Sequence, residues 1–158
     1  MSLRLRPAQM IDYAVIATWI GDSKACARWA GPMLAFPFET ASLPALLAKP
    51  DSHSLVLVDN AELVLGFAQF WKRDAQRAHL GRIIVDPATR GLGYGAVLCG
   101  QLMQQALVTT GLPVLSLRVY RDNPGALHLY QRLGFMTVEA DSDEEVLAME
   151  YRGDRPGT

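Results

Sequence analysis

The chain has 158 residues, of which 50% are hydrophobic and 20% are charged, and its formal net charge is −1. This length suits one compact domain, and this composition excludes a disordered chain. A charge so close to zero argues against a nucleic-acid partner, because a broad nucleic-acid surface needs an excess of Lys and Arg.

The two cysteines, Cys26 and Cys99, lack the spacing of a zinc site or of a disulfide scaffold, so we expect small buried thiols. His53 and His128 have no clustered ligands in the sequence, and we expect no metal. The N-terminus lacks the apolar core of a signal peptide, and no apolar run is long enough to cross a bilayer. These features predict a cytoplasmic protein without a membrane partner.

Hydrophobic periodicity and turn residues predict a strand, three helices and two strands in the first part of the chain. These elements are a strand at Leu3–Arg6 that Pro7 ends, a helix from about Ala8 to Ile20, a helix from Ser23 that Gly31 ends, a short helix from about Ser42 to Ala48, and strands at Leu55–Val58 and Leu63–Trp71.

In the second part of the chain the same signals predict strands that alternate with two helices. These elements are a strand at about Ala78–Val85, a long helix at about Tyr94–Thr109, a strand at Val114–Val119, a helix opened by Asn123-Pro124 and ended by Gly134, and short strands near Phe135–Glu139 and Val146–Tyr151. The order predicts a mixed α/β fold in one domain over residues 1–152, with residues 153–158 as a frayed tail.

The segment Arg90-Gly91-Leu92-Gly93-Tyr94-Gly95 lies between a predicted strand and a predicted helix. The first N–H groups of a helix lack internal partners, and the helix dipole is positive there, so such a segment can bind a phosphate group. Glycines let the oxygens of a phosphate approach the backbone, and Arg90 adds a cation beside them. The pattern therefore predicts an anion site.

Two common phosphate loops fit this segment poorly. A P-loop needs Gly-Lys-Ser or Gly-Lys-Thr, and neither Lys-Ser nor Lys-Thr occurs in the chain. The spacing of Gly91, Gly93 and Ala96 fits a dinucleotide fingerprint. However, Asp86–Arg90 separates it from the strand, and Thr109–Ser116 lacks the acidic residue that should follow.

A third loop type fits better. Arg90 to Gly95 resembles the pyrophosphate loop of the GNAT superfamily of N-acetyltransferases, Arg/Gln-x-x-Gly-x-Gly/Ala, at every specified position. A second motif, from Asn123 through Ala126 and Tyr130 to Gly134-Phe135, resembles that family's Asn-x-x-Ala-x-x-x-Tyr-x-x-x-Gly-Phe. The two motifs cover about His79 to Phe135. The seven residues between Asn123 and Tyr130 span two helical turns, so both side chains can face one groove.

The resemblance implies a GNAT-like acyl-CoA N-acyltransferase fold with acetyl-CoA as co-substrate. The sheet would splay open between the strands near Leu80–Val85 and Val114–Val119. Pantetheine would pair with main-chain groups of Ile83, Ile84 and Val85 in that cleft. The pyrophosphate would contact the segment from Arg90 and Gly91 through Leu92, Gly93 and Tyr94 to Gly95, and Asn123 would face the same groove.

The implied reaction is direct attack of a primary amine on the thioester, which needs proton transfers. A Tyr hydroxyl, with a pKa of about 10, can protonate a leaving thiolate, so Tyr130 is the candidate general acid. The resemblance places a Glu in many family members about eleven residues before the loop Arg, and this chain has His79 there. A neutral imidazole can accept a proton, so His79 is a candidate general base or, equally, a polar residue at the strand end. Glu62 and Asp74 are weaker candidates at expected turns.

The acceptor stays open between a small-molecule and a peptide amine. In a different interpretation the protein has the same fold but catalyses no reaction, and it acts as an acyl-CoA-binding sensor or interaction module. Exposed edge strands would also allow a homodimer.

Overall fold

A seven-stranded mixed sheet forms the centre of the computed structural model, which describes residues 2–152. The strands are β1 (Arg4–Pro7), β2 (His53–Val58), β3 (Val64–Lys72), β4 (Arg77–Val85), β5 (Val114–Tyr120), β6 (Met136–Thr137) and β7 (Val146–Arg152). They lie in the order β1-β2-β3-β4-β5-β7-β6, and each neighbouring pair is antiparallel except β4 and β5. The predicted mixed α/β fold is confirmed, and the predicted tail at 153–158 lies outside the described residues.

Helices cover both faces of this sheet. They are α1 (Met10–Ala17), α2 (Ser23–Ala30), α3 (Leu43–Leu46), α4 (Tyr94–Thr110) and α5 (Pro124–Arg132). Helices α4 and α5 pack on one face in a cluster that includes Leu98 and Leu102, while α1, α2 and α3 pack on the other around Phe67 and Trp29. Within residues 2–152 no helix has the length and apolarity that crossing a bilayer requires.

Local hydrogen bonds accompany the ends of α1 and β6, which differ from the predicted ones. Helix α1 spans Met10–Ala17 and is shorter than the predicted range from Ala8 to Ile20. The Asp12 carboxylate accepts a hydrogen bond from the Gln9 N–H at 2.7 Å and so sets its start. Strand β6 stops at Thr137 rather than Glu139. The Ser142 hydroxyl donates to the Val138 carbonyl at 2.8 Å and draws the chain into a 3-10 turn.

Two further differences lie at short elements. The predicted helix from about Ser42 to Ala48 is a 3-10 turn at Thr40–Ser42 followed by the single turn of α3. Pro7 belongs to β1 rather than ending it, because β1 is an edge strand, where a residue without an N–H is tolerated.

The only parallel pair in the described sheet separates soon after it begins. Strands β4 and β5 pair at Arg77 with Val114, Ala78 with Leu115 and His79 with Ser116, and pairing ends there. On its other edge β4 carries a bulge, since Phe67 pairs with Ile84 and Gln69 pairs with Gly81. The two strands thus open a cleft in the middle of the sheet, as predicted from the resemblance.

Candidate functional site

Two adjoining cavities open at the separation of β4 and β5. The larger, of about 450 Å³, lies between α2, Trp71 and the paired ends of β4 and β5. The smaller, of about 130 Å³, reaches the first turns of α5. Residues lining both include Trp29, Leu80, Arg82 and Tyr120, so the cavities form one groove across the splayed strands.

Tyr130 lines the smaller cavity and is 8% exposed. Its ring packs edge to face against Phe135 at 6.0 Å, and its side chain interacts with the thiol of Cys99. Burial raises the pKa of Tyr130 far above its usual value, and it raises the pKa of Cys99 to about 12. Tyr130 therefore holds its proton near neutral pH, and its side chain lines the groove.

Asn123 lies beside Tyr130 in the lining of the smaller cavity, as the seven-residue spacing predicts. Its side-chain oxygen accepts a hydrogen bond from the Ala126 N–H at 3.2 Å and caps α5. The cap sets the direction of α5 and brings Tyr130 to the groove two turns later. A ligand contact of Asn123 stays a prediction.

His79 lines the larger cavity at the last position where β4 pairs with β5. Its Nδ1 lies 2.8 Å from the Ser116 hydroxyl, and its ring lies 5.2 Å from the Trp71 ring. Burial, with smaller contributions from nearby cations such as Arg73 and Arg118, lowers the pKa of His79 to about 4. The imidazole is therefore neutral at physiological pH and has an unprotonated nitrogen, and the lowered pKa makes it a weaker base than a free imidazole.

The glycine segment forms an open turn before α4. Gly91 and Gly93 have φ values of 86° and 83°, and a Cβ at either would meet no protein atom within 4 Å. Within residues 2–152 the N–H groups of Gly93, Tyr94 and Gly95 donate to no protein acceptor, as expected at a helix N-terminus. The turn thus has unpaired backbone N–H groups, and the absence of side chains at Gly91 and Gly93 leaves open space beside them. This arrangement can accommodate a phosphate group.

The rest of this segment frames the turn. Arg90 is exposed, Leu92 is 63% exposed, and Tyr94 packs against the core. A 3-10 turn at Pro87–Thr89, capped by the Asp86 carboxylate on the Ala88 N–H at 2.9 Å, separates the segment from β4. This separation differs from a dinucleotide fingerprint, which follows its strand directly.

Ile83, Ile84 and Val85 lie on the splayed part of β4. Ile83 lines the smaller cavity, while Ile84 and Val85 pair with Phe67 and Gly66 on the β3 side. The β5 side of this segment has no neighbouring strand. Its main-chain groups can therefore pair with an extended ligand.

The sequence did not single out a set of residues that line the larger cavity. They are Arg28, Lys49, Trp71, Gly81, Arg82 and Arg118. The sequence did contain one signal, Gly81, because an isolated glycine inside a strand often marks a place where another group packs closely against the backbone. A Cβ at Gly81 would lie 2.8 Å from the Trp71 ring, so the indole crosses the strand where no side chain stands.

The weaker base candidates lie elsewhere. Glu62 pairs with Arg4 and Arg6, and Asp74 holds the turn before β4 by accepting from Gln76 and Arg77. Neither lines the two cavities. The described residues contain no cluster of three His, Cys, Asp or Glu side chains that could hold a metal ion.

Comparison with known proteins gives a family match and partial relatives. Residues 23–135 match the acetyltransferase (GNAT) family. The mycothiol acetyltransferase of Gordonia bronchialis is 38% identical over 76 residues, which is 48% of this chain and 24% of that protein. That of Actinosynnema mirum is 36% identical over 87 residues, which is 55% of this chain and 29% of that protein. The chain thus spans less than a third of the length of these curated relatives.

Solved structures share the fold over nearly the whole chain. Spermidine N-acetyltransferase from Vibrio cholerae, crystallised with CoA and spermine, has a TM-score of 0.80 at 19% identity, covering 96% of this chain and 95% of that chain. A chimeric form of that enzyme has a TM-score of 0.76 at 19% identity, covering 97% of this chain and 96% of that chain. At such identity these structures show the fold alone.

Proposed function

The chain belongs to the GNAT acetyltransferase family, and we propose that it transfers the acetyl group of acetyl-CoA to a primary amine by direct attack on the thioester. One observation carries this proposal. The parallel strands β4 and β5 separate immediately after His79 and Ser116, and the groove that opens there holds Tyr130 on one side and His79 on the other.

Acetyl-CoA supplies the activated acetyl group. The unpaired edge of β4 at Ile83–Val85 would hold the extended pantetheine arm through main-chain hydrogen bonds. The free N–H groups of Gly93, Tyr94 and Gly95 and the dipole of α4 would hold the pyrophosphate, with Arg90 at its rim. Asn123 would bound the groove at the start of α5.

Tyr130 would donate the proton that the leaving thiolate needs. Burial keeps its hydroxyl protonated, and the same dry groove raises the pKa of the leaving thiol above its usual value of about 8.5, which favours transfer of the proton to the thiolate. A main-chain N–H of Ile84 or Val85 would stabilise the developing oxyanion.

His79 would accept the proton that the attacking amine loses, directly or through water. Its imidazole is neutral, and the Ser116 hydroxyl fixes its ring at the mouth of the splayed strands. The cations that surround it also disfavour a protonated amine, which helps supply the neutral form that attacks.

The test is thiol release from acetyl-CoA across a panel of primary amines, with mass spectrometry of the acetylated products. Cys26 and Cys99 are buried, so the folded protein should add little background to a thiol reagent. Tight CoA binding by calorimetry with no product from any amine would instead support a non-catalytic acyl-CoA sensor. Stabilisation by nicotinamide dinucleotides and not by CoA would contradict the donor assignment.

A further inference from the structure

The larger cavity carries four cationic side chains and no carboxylate in its lining. The cations are Arg28, Lys49, Arg82 and Arg118. A cleft lined by one sign of charge raises the local concentration of ligands of the opposite sign. The cavity belongs to the face of the sheet covered by α2, whereas the glycine segment opens α4 on the other face. Its charge is therefore separate from the expected pyrophosphate site.

Two of these cations already have a carboxylate partner. Arg28 forms an ion pair with Asp122 and lies over the Tyr120 ring at 4.3 Å. Arg118 lies 3.8 Å from the Asp143 carboxylate. By contrast, within residues 2–152 neither Lys49 nor Arg82 has a carboxylate within ion-pair distance.

Arg82 is held in place by neutral groups. Its Nη1 donates to the Leu47 carbonyl at 2.9 Å and to the side-chain oxygen of Gln69 at 2.8 Å. Gln69 is 1% exposed, and its amide donates to Leu47 and to the Ser54 hydroxyl, so it cannot turn away without losing these bonds. Burial lowers the pKa of Arg82. A partly buried guanidinium without a counter-ion is costly, unless a ligand supplies the anion.

The Trp71 ring lies close to both cations that lack a carboxylate partner. The Lys49 ammonium lies 5.2 Å from the indole centroid, and the Arg82 guanidinium lies 5.4 Å from it. The same ring contacts His79 at 5.2 Å. The cationic pair therefore stands beside the candidate base rather than at a remote surface.

We propose that the acceptor is a primary amine that also carries an anionic group, a carboxylate or a phosphate, which binds between Lys49 and Arg82. This inference rests on the proposed acetyl transfer. A guanidinium with free N–H groups matches either anion with paired hydrogen bonds, and an ammonium adds a point charge. A polyamine would instead place positive charge against these cations, which disfavours it.

The experiment compares matched acceptors. Amino acids are assayed beside their carboxamides, O-phosphoethanolamine beside ethanolamine, and spermidine as a polycation. We expect kcat/KM at least about tenfold higher for the anionic member of the preferred pair, and little turnover of spermidine. The amino-acid and phosphate arms distinguish a carboxylate from a phosphate.

Two variants test the residues named. Lys49→Gln changes an exposed side chain and should leave the fold intact, while Arg82→Lys keeps the charge but loses the planar fork. Each should raise KM for the anionic acceptor by about tenfold and change KM for its uncharged partner much less, so the ratio of the two KM values is the readout. Arg132→Gln, at an exposed arginine of α5 that lines neither cavity, is the matched control.

Equilibrium binding separates this inference from the transfer itself. N-acetyl amino acids and their amides are titrated into the CoA complex by calorimetry. If no amine is acetylated but the acetylated carboxylates bind through Lys49 and Arg82, the transfer and the acceptor role fail, and the anion site between Lys49 and Arg82 stands. If charged and uncharged amines react equally well in both the wild type and the variants, the inference fails and the transfer stands.

Discussion

The imidazole Nδ1 of His79 and the hydroxyl oxygen of Ser116 lie 2.8 Å apart, at the last residue pair that joins β4 to β5. The contact that closes the parallel ladder thus also orients the candidate base at the opening of the groove. With Nδ1 engaged, Nε2 is the ring nitrogen that can accept a proton. This role requires the tautomer in which Nδ1–H donates to Ser116.

Removing the imidazole should slow transfer without weakening donor binding. His79→Gln is expected to lower kcat about 100-fold, the lower end for general base catalysis, and to leave the Kd for CoA unchanged. Ser116→Ala should lower kcat less, because the imidazole remains but loses its fixed orientation. An unchanged kcat for His79→Gln would leave His79 as a polar residue at the strand end.

Folding stability should depend on His79 in mildly acidic solution. The pKa of His79 is about 4 in the folded protein and 6.5 in the reference state, so between these pH values the unfolded chain binds the extra proton. Stability is therefore full above pH 6.5 and is lost as pH falls towards 4, by up to about 3 kcal/mol.

Urea unfolding at several pH values measures this loss. His79→Gln should flatten the profile between pH 6.5 and 4 relative to the wild type. His128→Gln removes an exposed imidazole from α5 and is the matched control. A wild-type profile that matches that of His79→Gln would show that burial of His79 does not disfavour its charged form.

The phenol of Tyr130 should matter for turnover more than for binding. Tyr130→Phe keeps the edge-to-face packing on Phe135 and removes only the hydroxyl, so kcat should fall about 100-fold with little change in CoA affinity. Tyr151→Phe, on the other side of Phe135 and outside both cavities, should behave as wild type. Equal kcat in the two variants would mean that another group protonates the thiolate.

Local signals predicted much of the fold. Asn123-Pro124 and Gly134 marked the start and the end of α5, and Gly134 has a φ of 103°. The alternation and length of the apolar runs gave β2 to β5 to within a few residues. The glycine segment could be recognised because its chemistry is contiguous in sequence.

The larger cavity could not be predicted in the same way. Arg28, Lys49, Trp71 and Arg118 come from four separate segments, and only the sheet order brings them together. Nothing in the sequence marks the bulge that gives Arg82 a φ of 50° and places its carbonyl 2.9 Å from the Trp29 indole N–H. The proposed specificity for the acceptor therefore depends on tertiary geometry rather than on a motif.

The glycine turn should bind the donor through its backbone shape. Gly93→Ala puts a side chain on a residue with φ of 83°, at a cost of about 1–2 kcal/mol, although no protein atom lies within 4 Å of the new Cβ. The space that this Cβ enters is the space proposed for the pyrophosphate. We therefore expect the Kd for CoA, measured by calorimetry on the folded variant, to rise at least about tenfold.

Gly100→Ala is the matched control for this substitution. Gly100 lies in the middle of α4, where a Cβ also meets nothing within 4 Å, and alanine there should stabilise the helix by about 0.5–1 kcal/mol. Its Kd for CoA should equal that of the wild type. If Gly93→Ala binds CoA as tightly as Gly100→Ala does, the phosphates do not approach the backbone at Gly93. In that case Arg90 and the remaining N–H groups of the turn would have to hold them from a greater distance.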